Sequence, residues 1–217
     1  LTSLLIVPIT INYLNNEVYG IWMTISSMLF WISTFDIGLG NGMRNYLTKA
    51  ISEKDLTLGR KYISTTLSLL SLIAITIGFL LLIPLFTINF NKFFNTFAIS
   101  NVDLRNALFV ALAFTLLNFV TKNIGLIFVA MQKYAINDLL SVLGNLLSLA
   151  IIFILTKTTS PNLLYVIFTY TATQCFVYLF AAIPLFTKYK ELRPSLNYFD
   201  RSLSRQIVGK GLGFFVI

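Results

Sequence analysis

Residues 21–50 read IWMTISSMLFWISTFDIGLGNGMRNYLTKA. The run from residue 21 to 34 is strongly apolar, and a membrane-spanning helix needs about 20 mostly apolar residues. The run then continues into a segment that holds the acid Asp36, the base Arg44 and three glycines. A charge on a lipid-exposed helix costs about 2.5–3.5 kcal/mol on insertion scales. The stretch therefore predicts a membrane helix whose polar groups face protein or a water-filled cavity.

The composition of the whole chain also indicates an integral membrane protein. Hydrophobic residues make up 57% and charged residues 11% of the chain, and the mean hydropathy is +0.82. Soluble domains contain about 25% charged residues, enough to cover their surface. One Cys and no His exclude a disulfide framework and a Cys/His metal cluster. The net charge of +8 is interpreted as a topology signal rather than a nucleic-acid site.

Long apolar segments predict an all-α, polytopic bundle of membrane helices. The segments are continuous rather than short and alternating, which disfavours a β-barrel. The chain starts at Leu1 and ends in GKGLGFFVI, both apolar, so we expect a piece of a longer protein. Six spans and the start of a seventh are predicted, at about residues 1–14, 20–47, 62–88, 106–131, 136–156 and 161–187, and from about 206.

The distribution of cations predicts the orientation, because cytoplasmic loops are enriched in Lys and Arg. One set of alternate connections carries Lys92, Arg105 and Lys157. We predict that the other set is cytoplasmic, because it carries Lys49, Lys54, Arg60, Lys61, Lys133, Lys188, Lys190, Arg193, Arg201, Arg205 and Lys210. Trp22 and its neighbouring tyrosines are expected at the outer headgroup level, and Asn15 or Asn16 is expected to cap the second helix.

The pattern divides the chain into three parts. Residues 1–187 are predicted to form a six-helix lobe, residues 188–205 a basic cytoplasmic connector, and residues 206–217 the start of a seventh span and a second lobe. The connector reads KYKELRPSLNYFDRSLSR and is expected to be partly helical after Pro194. It is either a solvated link or an amphipathic segment on the anionic inner leaflet.

Polar residues near the end of the second span form the first candidate site. On a continuous helix Asp36, Gly40 and Arg44 share one stripe, with the two charges about 12 Å apart along the axis. Asn41 and Asn45 form the adjacent stripe. These residues are predicted to line a cavity near its cytoplasmic mouth. The structural alternatives are that Arg44 extends to the headgroups and that the glycines only allow close helix packing.

Lys122 in the fourth span is the second candidate, with Asn118 one turn away on the same face. An intramembrane Lys is costly, which favours a role in presenting positive charge to a cavity. The alternative is that Lys122 pairs with an acid or a carbonyl inside the bundle.

Other polar residues in the spans are interpreted as structural. Hydroxyls of the third span, among them Ser64, Thr65 and Thr76, are expected to bond carbonyls one turn back. Asn145 and Gln174 are expected to form interhelical hydrogen bonds. Without an acid pair, a Ser/His arrangement or an acidic cluster, the sequence predicts no enzyme.

Two motifs resemble those of the Wzx-type polysaccharide flippases, whose superfamily also contains the MATE exporters and the lipid II flippase MurJ. The first is EVYGIW, residues 17–22, at the entry to the second span. The second is DIGLGNGMRN, residues 36–45. GRKYIS, RPSLNYFD and GLGFF resemble later parts of the same proteins, so the likeness covers the chain.

The resemblance implies a MATE-like N-terminal lobe of a larger transporter with a central cavity. It implies a bacterial inner-membrane protein that moves a polyprenyl-diphosphate-linked oligosaccharide, such as an O-antigen repeat unit, to the outer leaflet. Membrane lipids surround it, and a polysaccharide polymerase or glycosyltransferases are possible partners. No cofactor is expected, although H⁺ or Na⁺ could drive the cycle.

Three other functions remain open from the sequence. A MATE-type drug or cation exporter would favour acidic cavity residues, whereas Asp36 is the single acid well inside a span. A membrane enzyme such as a polymerase would need functional groups in a long outer loop, and residues 87–105 offer few. A scaffold without transport is the third.

Overall fold

The computed structural model describes residues 2–34 and 38–215, and throughout these ranges the regular structure is helical. Two 3₁₀ turns, Lys190–Leu192 and Leu196–Tyr198, precede the last helix. The α-helices are α1 (Thr2–Leu14), α2 (Asn16–Thr34), α3 (Leu39–Ser52), α4 (Leu56–Thr87), α5 (Phe90–Phe94), α6 (Asn101–Thr121), α7 (Asn123–Ala130), α8 (Tyr134–Thr158), α9 (Leu163–Lys188) and α10 (Arg201–Phe215).

Four helical segments in the described residues are long and apolar enough to cross a membrane: α4, α6 continued by α7, α8 and α9. The pair α2 and α3 would make a fifth span, although their axes differ by 43°. The apolar part of α1, Leu5–Leu14, is shorter than a span. The all-helical, multi-pass prediction is therefore confirmed, whereas the count of six spans and part of a seventh stays a prediction.

Side-chain caps explain where several helices begin. The Oδ1 atom of Asn15 accepts a hydrogen bond from the Val18 N–H at 3.0 Å, which confirms the predicted cap of α2. Asp55 caps α4 through the Leu58 N–H at 2.8 Å. Ser100 and Asn162 cap α6 and α9 in the same way. These polar residues thus mark the N-termini of the apolar helices.

The lobe packs around α6 and α9, while its outer faces stay apolar and exposed. One buried cluster, which includes Ile25, Leu104 and Ile167, joins α2, α6 and α9. A second cluster, with Met43 and Ile127, joins α3 to α7. The exposed apolar side chains of α4 include Leu72, Ile75, Phe79, Leu80 and Ile83. An apolar exposed face of this length fits a lipid environment.

The segment after α9 lies against the first turns of α4. The hydroxyl oxygens of Ser64 and Thr65 accept hydrogen bonds from the backbone N–H groups of Ser195 and Asp200 at 3.1 and 3.0 Å. Leu192 is buried beside Gly59. The predicted hydrogen bond from a hydroxyl to the carbonyl one turn back is found at Thr76, which donates to the Leu72 carbonyl. Ser64 and Thr65 instead hold a distant part of the chain.

Candidate functional site

The predicted stripe through residues 36, 40 and 44 assumed one continuous helix, which is wrong, because α2 and α3 are separate helices. Gly40 and Arg44 both lie in α3 and are one turn apart, as predicted. α2 ends at Thr34 and α3 begins at Leu39. Gly38 between them has φ 69°, a left-handed conformation that glycine adopts without steric cost. Asp36 lies outside the described residues. Its role in the site therefore stays a prediction.

Gly40 allows α3 to approach α7 closely. A Cβ atom added to Gly40 would overlap the Oδ1 atom of Asn123 and would lie 2.6 Å from a Leu126 methyl group. Asn123 is fully buried, and its amide group donates to the Phe119 carbonyl at 3.0 Å. Sequence analysis did not single out Asn123, because its contact with Gly40 joins residues that are distant along the chain.

The polar side chains of α3 form a stripe of their own. Asn41, Arg44, Asn45 and Thr48 are half-buried and follow the i, i+3, i+4, i+7 spacing of one helical face. The Arg44 guanidinium lies 3.4 Å from the Asn45 Oδ1 atom through both Nε and Nη2. The apolar residues of α3, such as Met43 and Leu47, pack against the core instead.

A separate cavity of about 190 Å³ lies between α2, α6 and α9 and has a largely apolar wall into which several hydroxyl and amide groups project; it is named the polar cavity for these groups. Helical spacing brings its lining together, since Thr115 and Asn118 on α6 are three residues apart, as are Thr171 and Gln174 on α9. The Asn118 Oδ1 atom is buried and has no hydrogen-bond partner among the described residues. The lining consists of Trp22, Ser26, Leu29, Phe30, Ser33, Thr115, Asn118, Tyr170, Thr171 and Gln174.

Lys122 contacts one residue of the cavity lining. Its Nζ atom donates to the backbone carbonyl of Ser33 at 3.0 Å, and Ser33 is part of the cavity lining. A cation near the last carbonyls of a helix is favoured by the helix dipole, and Ser33 is the penultimate residue of α2. The structure thus shows the carbonyl contact that was the alternative interpretation. Asn41, Arg44 and Asn45 do not line this cavity.

Aromatic and amide side chains fix the shape of the cavity wall. Trp22 is buried and meets Tyr170 edge-on, with ring centroids 5.3 Å apart, while its predicted depth at the outer headgroups stays a prediction. The Gln174 amide donates to Asn145 Oδ1 at 3.0 Å, which confirms the predicted hydrogen bond between α9 and α8. Sequence analysis missed Tyr170 and Thr171, although their helical spacing to Gln174 was a readable signal.

The chemistry of the cavity suits binding rather than bond cleavage. Its polar groups are hydroxyls and amides, with one ammonium at the edge. Such groups donate and accept hydrogen bonds, and an ammonium attracts anions more strongly in a low-dielectric setting than in water. The described residues contain no group of three or more His, Cys, Asp or Glu side chains placed to hold a metal ion.

Comparison with known proteins places the chain in a family. Residues 1–217 match the family described as polysaccharide biosynthesis protein. No curated protein and no solved structure matches the chain. The described residues contain four helical segments that are long and apolar enough to cross a membrane. This multi-pass chain therefore belongs to the polysaccharide biosynthesis protein family, whose match covers residues 1–217.

Proposed function

We propose that the chain is part of a flippase that carries polyprenyl-diphosphate-linked oligosaccharides across the bacterial cytoplasmic membrane by alternating access. The observation that carries this proposal is the polar cavity between α2, α6 and α9, inside helices apolar enough for a membrane. Membership of the polysaccharide biosynthesis family supports it, since family members are typically transporters rather than enzymes.

The proposed ligand matches the chemistry of the cavity. A diphosphate is an anion with many acceptor oxygens, and a sugar offers hydroxyls that both donate and accept. Asn118, Thr115 and Gln174 supply neutral partners, and Lys122 supplies a positive charge at the edge. Arg44, with Asn41, Asn45 and Asp36, would meet the headgroup at the cytoplasmic mouth.

The proposal extends to the organisation of the whole transporter. Residues 1–187 would form the first lobe, residues 188–205 the connector, and residues 206–217 the start of the second lobe. A gradient of H⁺ or Na⁺ would drive the cycle without a cofactor. A polymerase or glycosyltransferases of the same polysaccharide pathway would act before or after the flippase.

Export by cells that lack their own flippase tests the proposal. The full-length protein carrying Asn118→Ala should export at least about tenfold less polysaccharide, since a hydrogen bond from the Asn118 amide N–H to a charged phosphate oxygen would contribute about 1.5–3 kcal/mol. Asn106→Ala is the matched control, because Asn106 is an exposed amide on the same helix. Equal export by wild type and Asn118→Ala at matched protein levels would contradict the role of the cavity.

Lys122 needs a second comparison, because its ammonium also holds the end of α2. Lys122→Ala should abolish most export, whereas Lys122→Arg should retain more because the charge remains. Thermal unfolding of each variant separates a loss of binding from a loss of packing. Full export by a stable Lys122→Ala variant would exclude a role for this cation in transport.

A further inference from the structure

A second cavity, apolar throughout, adjoins the polar one. It has a volume of about 230 Å³ and lies between α2, α4, α5 and α6. The end of α4 and the short helix α5 form its outer part, through Pro84, Leu85 and the phenylalanines of α5. Phe93 and Phe94 meet edge-on with ring centroids 5.1 Å apart, which gives this wall a fixed shape.

The two cavities share a wall. Leu29 of α2 lines both of them. On α6, Leu108 and Leu112 line the apolar cavity and Thr115 and Asn118 the polar one, and helical spacing places all four on one face. One face of α6 therefore changes from apolar to polar along its length.

We propose that these adjoining cavities form one site for an amphiphile, in which the apolar cavity takes the first isoprenoid units of the lipid carrier. This inference rests on the proposed function, because the diphosphate of the same molecule would lie in the polar cavity beside Lys122. The chain passes Leu29 to enter the apolar cavity. In the predicted orientation that cavity lies at the level of the outer leaflet, where the chain of a translocated lipid must end.

The size of the apolar cavity favours a single chain. A dry cavity of about 150 Å³ holds one benzene molecule, so 230 Å³ accommodates a short segment of one hydrocarbon chain. A two-chain phospholipid would leave one chain outside. The wholly apolar lining of the cavity also offers no hydrogen-bond partner for a headgroup. The headgroup must therefore remain on the polar side of Leu29.

Binding to the purified full-length protein in nanodiscs tests the inference, with farnesyl diphosphate and inorganic pyrophosphate as probes. Burial of the chain should make farnesyl diphosphate bind at least about tenfold more tightly than pyrophosphate, since 1.4 kcal/mol of apolar burial gives a factor of ten. Met28→Trp, which fills the apolar cavity, should abolish this difference and leave pyrophosphate binding intact.

Met23→Trp is the matched control, because Met23 lies on the same helix, is exposed to a similar extent (47% against 40% for Met28) and lines neither cavity. It should bind both probes as the wild type does. Phosphatidylglycerol added to the nanodiscs should not reduce farnesyl diphosphate binding. Displacement by this phospholipid would instead assign the apolar cavity to bulk lipid and overturn the inference.

The outcomes separate this inference from the proposed function. Equal affinity for the two probes, with both weakened by Lys122→Ala, would remove the chain site and leave the flippase proposal standing. Failure of both probes to bind would contradict both proposals. A chain-dependent gain that survives Met28→Trp would place the chain elsewhere in the transporter and overturn the inference.

Discussion

At the scale of single residues, two glycines of the segment after α2 have separate structural tasks. Gly38 takes a left-handed conformation just before α3. Because Gly40 has no side chain, Asn123 and Leu126 of α7 can occupy the space that a Cβ atom would need. The same segment carries polar groups on the adjoining face of α3, through Asn41, Arg44 and Asn45. Close packing and polarity are therefore found on neighbouring faces of one short helix.

Gly40→Ala should destabilise the protein. An added methyl group at this filled contact costs about 1–3 kcal/mol of stability. Replacing glycine by alanine in a helix gains about 1 kcal/mol, so the overpacking cost outweighs this gain over most of its range. Gly20→Ala is the control, since an added Cβ at Gly20 meets nothing within 4 Å. Thermal unfolding in detergent should show a lower midpoint for Gly40→Ala and an unchanged or higher one for Gly20→Ala. A midpoint for Gly40→Ala that equals or exceeds that of Gly20→Ala would contradict the close approach of α3 and α7.

Sequence reasoning at this scale found Asn118 and Lys122 but not their surroundings. Asn118 lines the cavity, and Lys122 contacts Ser33 of the same lining, while their shared role in binding stays a prediction. The contact of Lys122 with the Ser33 carbonyl joins residues 89 positions apart, and no local pattern predicts such a contact. Gly38 was visible in the sequence, but glycine is also tolerated within membrane helices, so its left-handed conformation was not predictable.

At the scale of elements, the segment between α9 and α10 is fastened to the first turns of α4. The Arg60 Nε atom donates to the Arg193 carbonyl at 2.7 Å, and the guanidinium lies 4.0 Å over the Tyr198 ring. Lys61 pairs with Asp200 at 3.4 Å. Hydrogen bonds from the Ser202 hydroxyl and backbone N–H, with a smaller contribution from Lys61, lower the pKa of Asp200 to about 2. These contacts make the connector part of the same packed body as α4.

Arg60→Ala should loosen the connector without unfolding the lobe. The lost hydrogen bond to a carbonyl and the lost cation–π contact together contribute about 1–3 kcal/mol to holding the segment. Trypsin should then cleave at Lys190 faster in Arg60→Ala than in the wild type. Lys54→Ala, at an exposed position, is the control and should be cleaved at the wild-type rate. An unchanged cleavage rate would show that the connector does not depend on Arg60.

The lowered pKa of Asp200 predicts that the contacts of the connector are the same at pH 8 and pH 5. The Asp200 carboxyl has a lowered pKa, so its contribution is complete above its usual pKa of 3.8 and disappears as the pH falls through about 2. Trypsin cleavage rates at Lys190, corrected for the activity of the protease, should therefore be the same at pH 8 and pH 5. Faster corrected cleavage at pH 5 would show that a group with a higher pKa holds the segment.

The element boundaries show which features of the fold were readable from the sequence. Each predicted apolar segment corresponds to a helix or a pair of helices, because continuous apolar runs of this length leave few alternatives in a membrane. The role of Ser64 and Thr65 was not readable, since their partners lie about 130 residues later in the chain. The length of the apolar runs thus predicted the helices, whereas contacts between distant residues were not predictable from the sequence.

At the scale of the whole molecule, the proposed path of the lipid depends on the orientation of the protein in the membrane. Lys92 lies between α4 and α6, and Lys190 lies in the connector. The excess of cations near Lys190 predicts that this side is cytoplasmic. Cys175, the single cysteine of the sequence, is buried and gives little background in labelling.

Cysteine labelling of intact cells checks the orientation. A membrane-impermeant maleimide should label Lys92→Cys from outside and should label Lys190→Cys only after the cells are permeabilised. Both positions are exposed in the structure, so accessibility to the reagent depends on the side of the membrane. Labelling of position 190 in intact cells would invert the topology and move the apolar cavity to the inner leaflet.

Translocation in reconstituted vesicles tests whether the protein is a flippase. The full-length protein would be placed in liposomes with a fluorescent polyprenyl-diphosphate-linked sugar, and the fraction that reaches the opposite leaflet would be followed by an impermeant quencher. The account predicts translocation by the wild type and by Asn106→Ala, and a loss of at least about tenfold in Asn118→Ala. Translocation at the wild-type rate by Asn118→Ala and Lys122→Ala, both folded and reconstituted, would contradict a polar cavity that carries the diphosphate.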